Sequence, residues 1–112
     1  MRILLLPMLL ASALGVDVTV DSPPVITGNC NPTRVHFVGH LTATEPGQAT
    51  YVWLRSDKGA SAVQSLEFRQ AGPLPVSYDW LVKTRMSGWV SLKVLTPEPQ
   101  TSRKVSFEVT CK

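Results

Sequence analysis

Apolar and polar residues alternate along seven short segments of this chain. Within each segment every second residue is apolar, which is the period of a β-strand that buries one face. The segments are residues 16–20, 35–43, 49–55, 62–69, 76–82, 90–95 and 105–111. Turn-forming stretches such as Glu45-Pro46-Gly47 and Ser56-Asp57-Lys58-Gly59 separate them. The eight prolines beyond Pro7 are expected between strands or at strand starts, where a missing N–H is tolerated.

This pattern predicts an all-β fold: an antiparallel two-sheet sandwich of about seven strands. A parallel sheet is disfavoured because its strands would be apolar on both faces. The length of 112 residues allows one domain, which we place at residues 16–112.

The first thirteen residues have the composition of an export signal. Arg2 supplies a positive charge, and residues 3–10 are apolar, interrupted by Pro7 alone. Ala11-Ser12-Ala13 fits an A-x-A cleavage site, with cleavage after Gly15 as the alternative. The apolar run is shorter than the roughly 20 residues of a membrane span, and no cysteine follows it to carry a lipid. We expect a Sec-type signal peptide and a secreted or periplasmic protein without a membrane span.

Two cysteines, Cys30 and Cys111, follow the predicted signal. An even number of cysteines in a small exported chain predicts a disulfide bond. Two cysteines without a CxxC spacing make a poor zinc site, so a metal pair is the weaker alternative. The sequence therefore predicts a disulfide between Cys30 and Cys111.

Several motifs resemble the small immunoglobulin-like sandwich domains of exported bacterial proteins. The motifs are Gly28-Asn29-Cys30-Asn31-Pro32, Tyr51-Val52-Trp53-Leu54-Arg55, Ser87-Gly88-Trp89-Val90 and Phe107-Glu108-Val109-Thr110-Cys111. The resemblance implies that Cys30 opens the second strand of an immunoglobulin-like fold and pairs with Cys111 on the last strand. Such a bridge ties one end of the sandwich instead of its middle. The resemblance supplies no catalytic residues.

Catalytic and metal-binding patterns do not emerge from the sequence. His36 and His40 would lie about 13 Å apart on one strand, which is too far for both to bind one ion. No GxSxG elbow or glycine-rich phosphate loop occurs, and the eight acidic residues are spread singly. Asp57 is expected to cap its own turn. We therefore predict a protein that is not an enzyme, with no metal site and no cofactor.

Net charge adds little to this picture. The formal charge is +3, but the basic residues are interleaved with acids and the one adjacent basic pair is Arg103-Lys104. Binding of a polyanion usually requires a cluster or a stripe of positive charge, so nucleic acid is not an expected partner. Contact between a basic face and anionic envelope polymers remains an alternative.

Trp89 is the one candidate contact residue. It lies one residue out of step with the apolar series Val90, Leu92 and Val94. If it is exposed, it suits stacking on a sugar or anchoring a protein partner. The alternative is that it covers the edge of the core.

We therefore expect an exported, non-enzymatic binding or interaction module whose partner is a protein or glycan at the cell envelope. One alternative is a structural subunit that self-associates by pairing the edge strand at residues 16–20. A second alternative is a small inhibitor of an extracellular enzyme, acting through residues 45–48 or 97–102.

Overall fold

The computed structural model describes residues 15–21 and 26–111, and these form nine β-strands. The strands are β1 Val16–Val20, β2 Ile26–Gly28, β3 Thr33–Ala43, β4 Gly47–Arg55, β5 Gln64–Phe68, β6 Gly72–Val82, β7 Met86–Thr96, β8 Gln100–Thr101 and β9 Val105–Cys111. The predicted signal peptide at residues 1–13 lies outside the described residues. Within the described part, no helix is long and apolar enough to span a membrane.

The strands form two sheets, which confirms the predicted all-β sandwich. The small sheet has the order β1-β3-β6, and the large sheet has the order β2-β9-β7-β4-β5, with β8 paired to β7. All strand pairs are antiparallel except β2 with β9, which is parallel. Each of the seven predicted strands is present. The two strands that the pattern missed, β2 and β8, have only three and two residues, too few to show alternation.

The core forms between the inward faces of the two sheets. Val35, Phe37 and Leu41 of β3 are fully buried, as are Val90 and Leu92 of β7. Rings interlock across the sandwich, with Phe107 edge-on to Phe37 at 5.2 Å and edge-on to Trp80 at 5.1 Å between centroids. Edge-to-face contacts of this kind add to the stabilisation from burial alone.

Gly39 allows the two sheets to approach closely at Trp53. A Cβ atom at Gly39 would lie 2.7 Å from Leu92 Cδ2 and 3.1 Å from Trp53 Cη2. Trp53 is fully buried there and stacks on Tyr78 at 5.8 Å between ring centroids. Gly39 therefore interrupts the apolar series of β3 because a larger residue would displace Leu92 and crowd the buried indole.

The expected position of the prolines is wrong for two of them. Pro73 and Pro75 lie inside β6 and pair with Thr42 and His40 of β3. The structure tolerates them because β6 is an edge strand of the small sheet, where one side of the backbone needs no ladder partner.

The disulfide between Cys30 and Cys111 is present and confirms the prediction. It joins the segment before β3 to the end of β9, beside the pair Gly28–Cys111. The bridge therefore ties one end of the sandwich, as the resemblance implied. Closing a loop of 81 residues stabilises the folded state by about 4–5 kcal/mol in the chain-entropy model, as an upper value.

Candidate functional site

Trp89 lies on the outer face of the large sheet. Its neighbours Val90, Leu92 and Val94 are fully buried and point inward, so Trp89 points outward by the strand period. The Trp89 side chain is half-buried. It is not one of the side chains packed in or against the core, so the alternative that it covers the core edge is disfavoured.

The other aromatic side chains all belong to the core. The chain has eight aromatic residues, all within the described part. Seven of them are buried in the core or packed against it: Phe37, Tyr51, Trp53, Phe68, Tyr78, Trp80 and Phe107. Trp89 is therefore the one aromatic side chain that the sandwich does not use to build its interior.

Hydrogen bonds fix the backbone of Trp89 to the end of β4. The Trp89 N–H donates to Ser56 Oγ at 3.1 Å, and the Ser56 N–H donates to the Trp89 carbonyl at 3.0 Å. On the other side, Trp89 pairs with Ser106 of β9. The indole thus projects from a backbone held between two strands, which makes its position well defined.

Lys104 packs on the Trp89 indole. Its ammonium nitrogen lies 4.4 Å from the ring centroid, within the range of a cation–π contact. The adjacent Arg103 lines a different surface, a cleft of about 340 Å³ beside β1. The one basic pair in the sequence is therefore divided between two surfaces, and only Lys104 contributes to the face around Trp89.

Arg55 forms a cluster that sequence reasoning missed. Its guanidinium lies 4.5 Å from the Trp80 ring centroid, donates to Tyr78 Oη at 3.1 Å, and forms an ion pair with Asp57. Asp57 also accepts the Gly59 N–H at 2.9 Å, so its predicted capping role is confirmed by this contact. The pairing with Arg55 lowers the pKa of Asp57, and the Asp57 carboxylate raises the pKa of Arg55.

The only sequence signal for this cluster was that Arg55 lies two residues after Trp53 and so points to the same, inward face. This places the Arg55 guanidinium at the end of the core, within reach of Trp80 and Tyr78. The sequence pattern cannot identify these two partners, because both belong to β6 of the other sheet. The cluster closes one end of the core and holds the turn that carries Ser56.

Both histidines lie on β3, and His36 contacts a carboxylate. His36 Nδ1 lies 2.6 Å from Asp79 Oδ1 on the outer face of the small sheet, and Arg34 lies 4.0 Å from the same carboxylate. Among the described residues, no group of three or more His, Cys, Asp or Glu side chains is placed to hold a metal ion.

The loops considered for an inhibitor are partly built into the sheets. Gly47 and Gln48 belong to β4, and Gln100–Thr101 form β8 on the edge of β7. Ser102 is buried, and its Oγ accepts the Leu92 N–H at 3.0 Å. These contacts leave less free loop than an inhibitor of the expected kind would present.

One surface cleft without Trp89 in its lining measures about 750 Å³ and is lined by residues 46–48 and 67–69. A second cleft of about 470 Å³ adjoins it, lined by residue 67 and residues 69–74. Glu67 and Arg69 are the charged residues that line both clefts.

Comparison with known proteins supports a fold but does not assign a family. No protein family matches the sequence, and no curated protein matches it significantly. Among solved structures, the chain is similar to the CARDB domain of a Pyrococcus furiosus protein, in complex with di-metal ions, with a TM-score of 0.70 and 7% identity. That likeness covers 88% of this chain and 96% of the other.

A second similar structure is a β-glucosidase from Listeria innocua in complex with glucose. The TM-score is 0.56 and the identity 9%, over 87% of this chain but 16% of the enzyme. At such identities the likenesses concern the fold. Together with the disulfide and the two sheets, they support an immunoglobulin-like β-sandwich.

Proposed function

We propose that this chain is an exported, non-enzymatic binding module that contacts its partner through the outer face of the large sheet around Trp89. The observation that carries the proposal is the exclusion of Trp89 from the core, while the seven other aromatic side chains build it. A partly exposed tryptophan on a rigid sheet is a common anchor for binding, because it buries a large area with little loss of side-chain freedom.

Export is supported by the disulfide and by the amino-terminal sequence. A structural disulfide persists in oxidising compartments such as the periplasm or the extracellular space. The apolar segment at residues 3–10 and the A-x-A site after it have the sequence features of a secretory signal peptide. The partner is therefore a protein or a glycan at the cell envelope or outside the cell.

The test compares two apolar substitutions on opposite faces of the sandwich. Trp89→Ala removes the proposed anchor, and Leu81→Ala removes a leucine that is 55% exposed on β6 of the small sheet. Each variant is immobilised, and the envelope components that it retains are compared with those retained by the wild type. We expect Trp89→Ala to lose the retained component and Leu81→Ala to keep it. Loss with Leu81→Ala alone would place binding on the small sheet.

Self-association through β1 is a second candidate. β1 is an edge strand of the small sheet, and within the described residues it pairs only with β3. A two-fold pairing centred on Val18 would set Asp17 opposite Thr19 of the second copy, so like charges would not meet. Size-exclusion chromatography distinguishes this candidate, because it requires a dimer that dissociates when Val18 is replaced by Pro.

A further inference from the structure

Three long side chains share the outer face of the large sheet. Trp89 and Lys93 lie four residues apart on β7 and point outward, about 13 Å apart along the strand. Lys104 directly precedes β9. Because Val105 pairs with Val90, Lys104 comes level with a position between Trp89 and Lys93, and its ammonium lies over the Trp89 indole. Ser91, which lies between Trp89 and Lys93, is only 2% exposed, so longer side chains on this face must shield it.

Neither lysine on this face is neutralised by an acid. The ion pairs of the described residues involve Asp79 and Asp57, and neither carboxylate is paired with Lys93 or Lys104. The acid of β9 on this face is Glu108, which pairs with Ser87 on the side of Trp89 away from Lys104. The face therefore offers the Lys104 ammonium on the indole and the Lys93 ammonium about 13 Å along the strand, neither of them in an ion pair of the described residues.

Besides Lys104 and Glu108, three serine hydroxyls lie near Trp89. Ser56 contacts its backbone, Ser106 lies opposite on β9, and Ser87 lies two residues before it. None of the three surface clefts described above has Trp89 in its lining. A sheet face with an indole, hydroxyls and an ammonium group fits a chain of hydroxylated, negatively charged ring units.

We propose that this face binds an acidic polysaccharide, a polymer of sugar rings that carry carboxylates. The inference rests on the proposed function and names the ligand class of the same site. The apolar face of a sugar ring packs against Trp89, while carboxylates pair with Lys104 and Lys93. Lys104 leaves the indole for a carboxylate, and the sugar ring takes its place.

An acidic protein segment is the competing ligand, and the structure favours it less. A protein partner is usually anchored by side chains that enter desolvated pockets, whereas Trp89 lines none of the three clefts described above. Polyglutamate also has no ring that could pack on the Trp89 indole after Lys104 has moved away from it. The contrast between polygalacturonate and polyglutamate therefore separates ring recognition from attraction between charges.

The experiment measures binding of the full mature chain to polygalacturonate, to its methyl ester and to polyglutamate. The methyl ester keeps the sugar rings and removes their charge. We expect polygalacturonate to bind most tightly and tryptophan fluorescence to change on binding. Trp89→Leu should abolish that change and weaken binding.

A matched pair of charge variants locates the cations. Lys104→Met removes the ammonium but keeps a long side chain over Trp89, and Lys83→Met makes the same change in the connection between β6 and β7. We expect Lys104→Met to weaken polygalacturonate binding about tenfold, the effect of losing one charged contact, with Lys83→Met unchanged. The salt dependence of binding should also become shallower for Lys104→Met.

Several results would overturn the inference. Equal binding of polygalacturonate and its methyl ester would show that the cations are not used. Equal binding of polyglutamate would show that the ring is not recognised, and no binding of polygalacturonate would exclude the ligand class. The proposed function fails separately, if Trp89→Ala retains the same envelope components as the wild type.

Discussion

Charged side chains make different contacts on the two outer faces of this sandwich. On the small sheet, the Asp79 carboxylate lies 2.6 Å from His36 and 4.0 Å from Arg34, so it has basic side chains beside it. On the large sheet, Lys104 packs on Trp89, and no ion pair of the described residues involves Lys104 or Lys93. The first face therefore pairs a basic side chain with an acid, whereas the second places one on an aromatic ring.

This difference is the reason why the proposed contact surface is the large sheet and not the small one. A cation that already has a carboxylate partner gains little from a second one, because the first contact must be broken. A cation held on an aromatic ring keeps its full charge, and the contact is weak at a solvent-exposed site. If the proposal is correct, a carboxylate partner therefore gains more from Lys104 on the large sheet than from Arg34 on the small sheet.

Loss of the disulfide should have the largest effect and should affect the two faces unequally. We expect the double variant Cys30→Ser/Cys111→Ser to lose up to about 4–5 kcal/mol of unfolding free energy. The bridge fixes the end of β9, which belongs to the large sheet. Hydrogen exchange should therefore accelerate in β2 and β9 more than in β3 and β6. Uniform acceleration would mean that the bridge supports both sheets equally.

The next largest effect should be a difference in the unfolding free energy lost when each of two tryptophans of the large sheet is replaced by alanine. Trp53 is fully buried on β4, so Trp53→Ala should cost about 3–5 kcal/mol. Trp89→Ala removes a half-buried ring and a cation–π contact from the outer face, so we expect a cost of about 1 kcal/mol. Urea denaturation of both variants measures this directly. A comparable loss for Trp89→Ala would assign that ring to the scaffold and remove it from the binding surface.

The smallest effect concerns the turn that holds Ser56 beside Trp89. The pKa of Asp57 is lowered in the folded state, first by Arg55 and then by the Gly59 N–H. Its stabilisation is therefore complete above its unfolded pKa of about 4 and disappears as the pH falls through the folded pKa. We expect the wild type to be more stable than Asp57→Asn at pH 7, and the difference to shrink towards pH 2.

Asp79→Asn is the control on the other face. Its ion pairs are exposed, so at pH 7 the variant should lose less than about 1 kcal/mol and should bind through the large sheet as the wild type does. A difference for Asp57→Asn that stays constant with pH would indicate that the carboxylate charge does not support the turn.

Much of the fold was predictable from local pattern. The alternation in residues 105–111 marks Val105, Phe107 and Val109 as inward-facing, and all three are buried. Trp89 was singled out because it lies one residue out of step with the alternating apolar residues Val90, Leu92 and Val94. By contrast, β2 was missed because three residues do not show a period, and Pro73 and Pro75 were misplaced because edge position is a property of the sheet.

The candidate site was predictable only in part. Trp89 could be recognised, but its contact with Lys104 depends on the pairing of β7 with β9. The cluster of Arg55 with Tyr78 and Trp80 likewise joins residues of different sheets. Nothing in the spacing of these residues along the chain indicates that they meet.

The sequence by itself determined seven of the nine strands, the inward face of each of these seven, and the pairing of the two cysteines. These properties follow from a period of two residues and from the count of one residue type, and both are local or compositional. Only the tertiary structure decided that Asp79 pairs with His36 and Arg34 while Lys104 packs on Trp89. The physical reason is that register between strands sets which distant side chains become neighbours, and those neighbours decide whether a charge is already satisfied or available to a partner.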